Sequence, residues 1–233
     1  MTRVAATPTM SQTAHETLVE RYARMAHTFQ PRSVDPVLRV LDRVLAVLGL
    51  VVTFPLMALC ALAVRLSGSR GVLYRGARVG QGGEIFTMVK FRTLKPQAET
   101  RIGSFYGEEL TRLTACEQTR VGRILRASKL DVLPQLWNVL RGEMSIVGPR
   151  PIRPLFFEDL AREIPAYWQR LVVRPGITGF AQLRLTREMT WAEKLAHDFE
   201  YIADRSVGLY IAILVDTVWT LLTRPRRGPI GRI

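Results

Sequence analysis

The hydrophobic pattern of the chain begins with one long apolar run. Val44 to Val64 are 21 residues without a charge, and about 20 apolar residues suffice to cross a 30 Å hydrocarbon core. Arginines flank the run on both sides, whereas a simple membrane span favours an asymmetry of basic charge. Pro55 lies at its middle and removes one backbone hydrogen bond, which predicts a kink. The run therefore fits two arrangements, a re-entrant helix that returns to the same membrane face and a kinked single span.

The pattern after this run predicts a hairpin and then several helices. Short apolar runs on either side of Gly80-Gln81-Gly82-Gly83 are typical of a β-hairpin. Helical spacing predicts helices over 119–126, 133–140 and 154–170. A second apolar run covers 207–222, and Asp216 interrupts it, so it predicts either an interfacial helix or a buried core helix. No strand, glycine-rich loop and helix follow one another, which argues against a doubly wound nucleotide-binding fold.

These elements predict a helix-rich α/β protein associated with a membrane, with a small β-hairpin and surface amphipathic helices. We divide it into a flexible N-terminal tail (1–33), a membrane helix region (34–70), a cytosolic domain (71–206) and an interfacial helix with a basic tail (207–233). A secretory signal peptide is not expected, because the first long apolar run begins late and lacks a small-residue cleavage site.

Composition narrows the class of partner. The formal net charge is +13, yet 48% of the residues are hydrophobic. Nucleic-acid binders carry a recognition motif with their basic charge, and none is present here, so nucleic acid is not an expected partner. A basic and apolar chain suits an anionic membrane surface. Two cysteines and three scattered histidines form neither a disulfide framework nor a zinc site.

One carboxylate stands among basic residues in the central region. Asp131 precedes the helix predicted at Pro134, where free N–H groups and the helix dipole stabilise negative charge. Arg126 and Arg150 lie on either side of it along the chain. Clustered cations would neutralise a diphosphate, and a carboxylate can attack phosphorus to give a covalent intermediate. The alternative is an ordinary helix-capping aspartate.

Five segments together resemble the bacterial sugar transferases that are monotopic polyprenyl-phosphate phosphoglycosyl transferases. The resemblance extends over roughly 36–224. The segments are Lys90-Phe91-Arg92-Thr93-Leu94, Lys129-Leu130-Asp131, Leu133 to Val139, Gly142 to Pro151, and Arg174 to Gly179.

The resemblance implies a reaction and a location. Members of this family move a sugar 1-phosphate from a UDP-sugar to polyprenyl phosphate, usually undecaprenyl phosphate, and release UMP. The reaction initiates the assembly of exopolysaccharide or another glycan and uses Mg²⁺. A re-entrant helix keeps both termini on the cytosolic face of the inner membrane, so the resemblance favours that arrangement and makes 71–206 the catalytic domain. The resemblance also leaves room for a homodimer.

The resemblance assigns roles to individual residues. Asp131 takes the place of the nucleophile, and Lys90, Arg126 and Arg150 take the places of phosphate contacts. The turn Pro149-Arg150-Pro151 matches the part associated with the nucleotide.

Val132 departs from the family pattern, which has a glutamate beside the nucleophile. That glutamate is associated with metal binding, which valine cannot provide. One outcome is that Mg²⁺ is held by Asp131 together with another carboxylate, and Glu143 is the first candidate. The others are a weakened site, or a catalytically degenerate membrane scaffold that binds nucleotide-sugar without turnover.

Overall fold

A computed structural model describes residues 32–68, 71–98, 107–184 and 189–223. Eight α-helices are described: α1 Asp35–Leu66, α2 Gly107–Cys116, α3 Arg120–Ala127, α4 Gln135–Arg141, α5 Pro154–Glu163, α6 Phe180–Arg184, α7 Trp191–Asp204 and α8 Val207–Thr223. The strands are β1 Leu73–Val79, β2 Ile85–Phe91, β3 Ser145–Val147 and β4 Gly176–Thr178. Most of the predicted N-terminal tail and the basic residues after 223 lie outside the described residues. The domain boundaries stay predictions.

Helix α1 is longer than the apolar run that predicts it. It starts at Asp35, ahead of Val44, with a proline at its first turn, and it includes the buried Asp42. The Asp42 carboxylate accepts hydrogen bonds from the Ser145 hydroxyl at 2.9 Å, the Ile146 amide at 2.8 Å and the Tyr210 hydroxyl at 2.7 Å. These contacts join α1 to β3 and α8. By length and composition α1 could cross a membrane.

The predicted hairpin is confirmed. Strands β1 and β2 pair antiparallel, with Tyr74 opposite Lys90 and Gly76 opposite Met88. Gly82 in the connecting turn has a φ of 66°, a conformation that glycine adopts without a side-chain clash. The hairpin extends to Phe91 and so presents Lys90 near the end of β2.

The helices around the predicted nucleophile are also confirmed, with ends shifted by one or two residues. The Thr119 hydroxyl caps α3 by accepting from the Gly122 amide at 2.9 Å. A Cβ at Gly122 would lie 2.0 Å from the carbonyl oxygen of Thr93, so only glycine lets α3 approach the segment after β2 this closely. This approach brings the C-terminal end of α3 to the hairpin.

The helix predicted over 154–170 is wrong beyond Glu163. Ile164 is extended, with φ −122° and ψ 96°, because Pro165 disfavours a helical conformation in the residue before it. The chain resumes as a 3₁₀ segment over Tyr167–Val172. Strand β4 pairs parallel to β3, with Ser145 opposite Gly176.

Helix α8 confirms the helix predicted over 207–222 and has one buried and one exposed face. Tyr210 and Ile213 are buried against Leu38 of α1 and Val147 of β3. Its other face leaves Trp219 and Leu222 exposed, at 66% and 77%. One face is therefore core, and the opposite face is an apolar surface beside that of α1.

Candidate active site

Asp131 lies in a tight turn between α3 and α4. Lys129 adopts a left-handed conformation with a φ of 59° and reverses the chain after α3. Asp131 follows in the 3₁₀ turn Leu130–Val132, which packs against β2. The residue is only 7% exposed. A buried carboxylate is costly unless cations surround it, so its neighbours define what it can do.

The structure gathers the predicted phosphate-binding residues around this carboxylate. Lys90 comes from β2, Arg126 from the last turn of α3, and Arg150 from the turn after β3. The charge of Asp131 favours the protonated form of all three, while burial lowers the pKa of each. Residues that are 60 positions apart in sequence thus form one charged cluster.

Lys90 has the most strongly altered pKa of the cluster. Burial is the largest cause, and repulsion from Arg126, Arg78 and Arg150 adds to it. The attraction of Asp131 opposes these effects but does not cancel them, and the pKa of Lys90 falls to about 7. The charge of Lys90 therefore depends on pH in the physiological range.

The pKa of Asp131 is raised, whereas that of Lys90 is lowered. Burial raises the pKa of its carboxyl above the usual 3.8, while Lys90, Arg126 and Lys129 stabilise the ionised form. One carboxylate faces several cations, so the cluster carries an excess of positive charge. An excess of this kind is what a diphosphate ligand would neutralise.

Sequence reasoning missed two arginines of the cluster. Arg78 on β1 is buried, its pKa is lowered first by burial, and it is repelled by Arg153 and Arg150. Its hydrogen-bond partner Tyr74 lies under Lys90, whose Nζ is 4.9 Å from the centre of the ring. The signal was available in the hairpin, because Tyr74 and Arg78 share one face of a strand.

The Pro149-Arg150-Pro151 turn is held by backbone contacts and one buried ion pair. The Gly176 amide donates to the Pro149 carbonyl at 2.8 Å. Arg170 donates to the Arg150 carbonyl at 3.0 Å and pairs with Asp198 at 2.8 Å, both side chains being almost fully buried. Arg170 and Asp198 therefore fix the backbone from which the Arg150 guanidinium extends.

Close backbone contacts at glycines hold the segment around Gly148 against the segment from Gly176 to Gly179. A Cβ on Gly176 would lie 2.1 Å from the Gly148 nitrogen, and one on Gly179 would lie 2.2 Å from the Gly148 carbonyl oxygen. Backbone approaches this close exclude any other residue. The parallel pairing of β3 and β4 thus depends on glycines from both segments.

Glu143 is engaged by Asn138 and Arg141. Its carboxylate accepts from the Asn138 amide at 2.6 Å and pairs with Arg141 at 3.2 Å. Asn138 in turn bonds β2, donating to the Thr87 carbonyl at 2.8 Å and accepting from the Val89 amide at 3.0 Å. Glu143 thus supports the strand that carries Lys90.

The Mg²⁺ site at Asp131 and Glu143 stays a prediction. Across the described ranges, no three histidine, cysteine, aspartate or glutamate side chains group as metal ligands. Val132, beside Asp131, supplies no ligand atom from its side chain. One or two carboxylates are enough for Mg²⁺ when substrate phosphates complete its coordination, so Asp131 and Glu143 stay the candidate ligands.

The site combines a buried carboxylate with a cationic cluster, and α1 packs beside it against Phe91 and Leu125. Comparison with known families gives the class of protein. Residues 34–224 match the family model described as bacterial sugar transferase. The chain belongs to this family.

Individual relatives carry more detailed names. A UDP-N-acetylgalactosamine-undecaprenyl-phosphate N-acetylgalactosaminephosphotransferase from Aeromonas hydrophila is 36% identical over 188 residues, which cover 79% of this chain and 43% of that protein. A UDP-glucose:undecaprenyl-phosphate glucose-1-phosphate transferase from Caulobacter vibrioides is 39% identical over 198 residues, 82% of this chain and 72% of that protein. The exopolysaccharide production protein ExoY from Sinorhizobium fredii is 32% identical over 192 residues, 77% of this chain and 83% of that protein. The chain thus spans less than half of the Aeromonas relative.

Proposed function

We propose that the protein transfers a sugar 1-phosphate from a UDP-sugar to undecaprenyl phosphate or a related polyprenyl phosphate, and so initiates assembly of a glycan such as an exopolysaccharide. The observation that carries the proposal is the buried Asp131 carboxylate within an excess of cations. The names of the relatives agree with it, since they describe transfer from UDP-sugars to undecaprenyl phosphate.

The reaction proceeds in two displacements at one phosphorus atom. A carboxylate oxygen of Asp131 bonds to the sugar-bearing phosphorus of the UDP-sugar. The bond from that phosphorus to the bridging oxygen breaks, and UMP leaves with the electron pair. A phosphate oxygen of polyprenyl phosphate then attacks the same phosphorus, and the Asp131 carboxylate leaves with its electron pair. The product is a polyprenyl diphosphate sugar.

The cations act on the charge that these steps move. Lys90, Arg126 and Arg150 neutralise the diphosphate as it binds and the developing charge on the leaving UMP. Arg78 and Arg153 extend the positive field on the hairpin and α5 sides. Pro149 and Pro151 hold the Arg150 turn in the shape that we assign to nucleotide binding.

An assay of UMP release tests the proposal directly. The detergent-solubilised full chain is incubated with undecaprenyl phosphate and a panel of UDP-sugars that begins with UDP-glucose and UDP-N-acetylgalactosamine. Asp131→Asn should abolish release with every donor. Asp159→Asn, which removes a carboxylate from the surface of α5, is the matched control and should leave it unchanged. Unchanged release in Asp131→Asn would overturn the mechanism.

The apolar surface supports attachment to the cytosolic face of the inner membrane. Phe54 and Val52 at the middle of α1 are 69% and 75% exposed. Both ends of α1 contact the same domain: Asp35 pairs with Arg205 at 2.6 Å, and Val64 packs with Leu125. Because both ends of α1 contact one domain, we propose that α1 is re-entrant. Its middle would enter one leaflet and would not cross the bilayer.

Cysteine labelling separates the two arrangements. Val37→Cys and Leu66→Cys, each in a Cys116→Ser background, are treated with a membrane-impermeant maleimide in inside-out and right-side-out vesicles. A re-entrant helix predicts that both positions react only in inside-out vesicles. Reaction from opposite sides would establish a single span.

The Mg²⁺ dependence implied by the family stays a prediction, as does a homodimer. UMP release measured during a titration with Mg²⁺, after removal of metal by a chelator, tests the first. Full activity in the metal-free protein would exclude a requirement.

Val132 favours one alternative, a scaffold that binds nucleotide-sugar without turnover. Its side chain stands directly after the nucleophile and supplies no ligand atom. Nucleotide binding by calorimetry without UMP release from any donor of the panel would establish this alternative. Val132→Glu should then restore turnover, and a variant that stayed inactive would place the defect elsewhere.

A further inference from the structure

A large groove lies outside the Asp131 cluster. It encloses about 1340 Å³ between α1, the hairpin and α4. None of Asp131, Lys90, Arg126 and Arg150 lines it. The groove follows α1 from Pro36 to Met57, a length of about 30 Å at 1.5 Å per residue.

One end of the groove is cationic around the Gly142 turn. Arg174 donates to the Gly142 carbonyl at 2.8 Å, and a Cβ on Gly142 would lie 3.2 Å from an Arg39 guanidinium nitrogen. Burial lowers the pKa of Arg174, and the charges of Arg39 and Arg43 lower it further. The guanidiniums of Arg39 and Arg174 therefore crowd one turn.

Asp42, whose charge together with that of Asp35 opposes the lowering of the Arg174 pKa, already accepts three hydrogen bonds from other groups. Two further carboxylates are paired. Asp35 pairs with Arg205, and Glu143 pairs with Arg141. The Nε of Arg39 is buried and, within the described part of the chain, has no hydrogen-bond partner. A buried donor without an acceptor favours an anionic ligand at this position.

The groove also has an apolar part. Its lining includes Leu50 and Met57 of α1, Leu73 of β1 and Trp137 of α4, beside polar hairpin residues such as Arg75 and Glu84. Trp137 is 54% exposed, although a tryptophan that stabilised only the folded core would be buried. Arg39 of the cationic end and Leu50 and Met57 of the apolar part lie on α1, whose outer face is the exposed apolar surface.

We propose that this groove binds an anionic phospholipid, with the headgroup phosphate on Arg39 and Arg174 and an acyl chain along Leu50, Met57 and Trp137. A free phosphate would use only the cationic end, and a neutral lipid would use only the apolar part. An anionic amphiphile matches both. The site is separate from the Asp131 cluster and does not depend on the proposed reaction.

Lipid binding to the full chain in neutral detergent tests this site. Phosphatidylglycerol should raise the unfolding temperature and give a measurable Kd, whereas phosphatidylcholine should do neither. Arg39→Gln should weaken phosphatidylglycerol binding by about tenfold or more, the effect of losing a charge-assisted hydrogen bond. Arg65→Gln, an exposed arginine at the other end of α1, is the matched control and should leave the Kd unchanged.

Two further arms separate the sources of the phosphate. Glycerol 3-phosphate should bind far more weakly than the lipid, and Trp137→Ala should weaken only the lipid. Equal binding of the soluble headgroup, or an equal loss in Arg65→Gln, would overturn the proposal. So would displacement of phosphatidylglycerol by undecaprenyl phosphate at a much lower concentration, since the groove would then be an acceptor site.

The test does not depend on activity or on one variant. Asp131→Asn should bind phosphatidylglycerol like the parent protein, so failure of the transferase mechanism leaves the result readable. If Arg39→Gln does not fold, Arg39→Lys should retain binding, and the Trp137→Ala and headgroup arms still decide.

Discussion

The pH dependence of donor turnover depends on Lys90. Its pKa lies at about 7, so its positive charge is lost as the pH rises through neutrality. The nucleophile acts in the other direction, because Asp131 must be ionised and burial raises the pKa of its carboxyl. We therefore expect kcat/KM for the UDP-sugar to fall both in acid and above pH 7, with Lys90 responsible for the alkaline fall.

The size of the alkaline fall follows from the contact that is lost. A hydrogen bond to a charged group contributes about 1.5–3 kcal/mol, which corresponds to a decrease of about 10- to 150-fold in kcat/KM. Unfolding does not explain this loss. Between the folded pKa near 7 and the ordinary value of 10.5, the unfolded chain binds more protons at Lys90, so this residue makes stability rise with pH.

Initial rates of UMP release at low UDP-sugar concentration give kcat/KM across this range. In a two-step mechanism this quantity reports the donor half-reaction and not the titration of polyprenyl phosphate. Lys90→Arg should abolish the alkaline fall, because arginine stays charged, and Lys90→Gln should lower kcat/KM at acid pH and flatten the profile. An unchanged alkaline fall in Lys90→Arg would refute the assignment.

Three further substitutions test the supports of the site. Asp42→Ala leaves three donors without an acceptor, which should cost about 3 kcal/mol. At about 2–4 °C for each kcal/mol, the unfolding temperature in detergent should fall by roughly 6–12 °C. Gly122→Ala should lower it as well, because its Cβ would meet the Thr93 carbonyl oxygen at 2.0 Å, an overlap that costs about 1–3 kcal/mol. Asp198→Asn breaks the buried pair with Arg170, which should cost about 3–5 kcal/mol and raise KM for the UDP-sugar.

Each of these has a control. Asp42→Asn keeps an acceptor oxygen and should retain most of the stability. Gly208→Ala places its Cβ in nearly open space and should be neutral. A parent-like unfolding temperature in Asp42→Ala or Gly122→Ala, or a parent-like KM in Asp198→Asn, would contradict the corresponding contact.

The local features of the fold were predictable because their causes are local. Turn glycines placed the hairpin, and Pro134 placed the start of α4. Pro165 is a further local signal. It disfavours a helical conformation at Ile164 and so predicts the observed end of α5. The pairing of β3 with β4 could not be predicted from the hydrophobic pattern. It depends on close backbone contacts at Gly148 and Gly176, which leave no periodic pattern in the sequence.

The candidate site was predictable only in part. The family resemblance named Asp131 and three cations, and the structure brings these four together. The ligand role of Glu143 stays a prediction, and its carboxylate contacts Asn138 and Arg141 in the structure. Arg78 was missed although it shares one face of its strand with Tyr74, which lies opposite Lys90.

The covalent intermediate on Asp131 is the central claim, and its capture is the most direct test. The protein is mixed with a UDP-sugar in the absence of polyprenyl phosphate and quenched in acid, and the proteolytic peptides are weighed by mass spectrometry. We predict a burst of UMP equal to the enzyme present and a sugar 1-phosphate mass added at Asp131, both absent in Asp131→Asn. UMP release that requires the acceptor, with no added mass at Asp131, would contradict it.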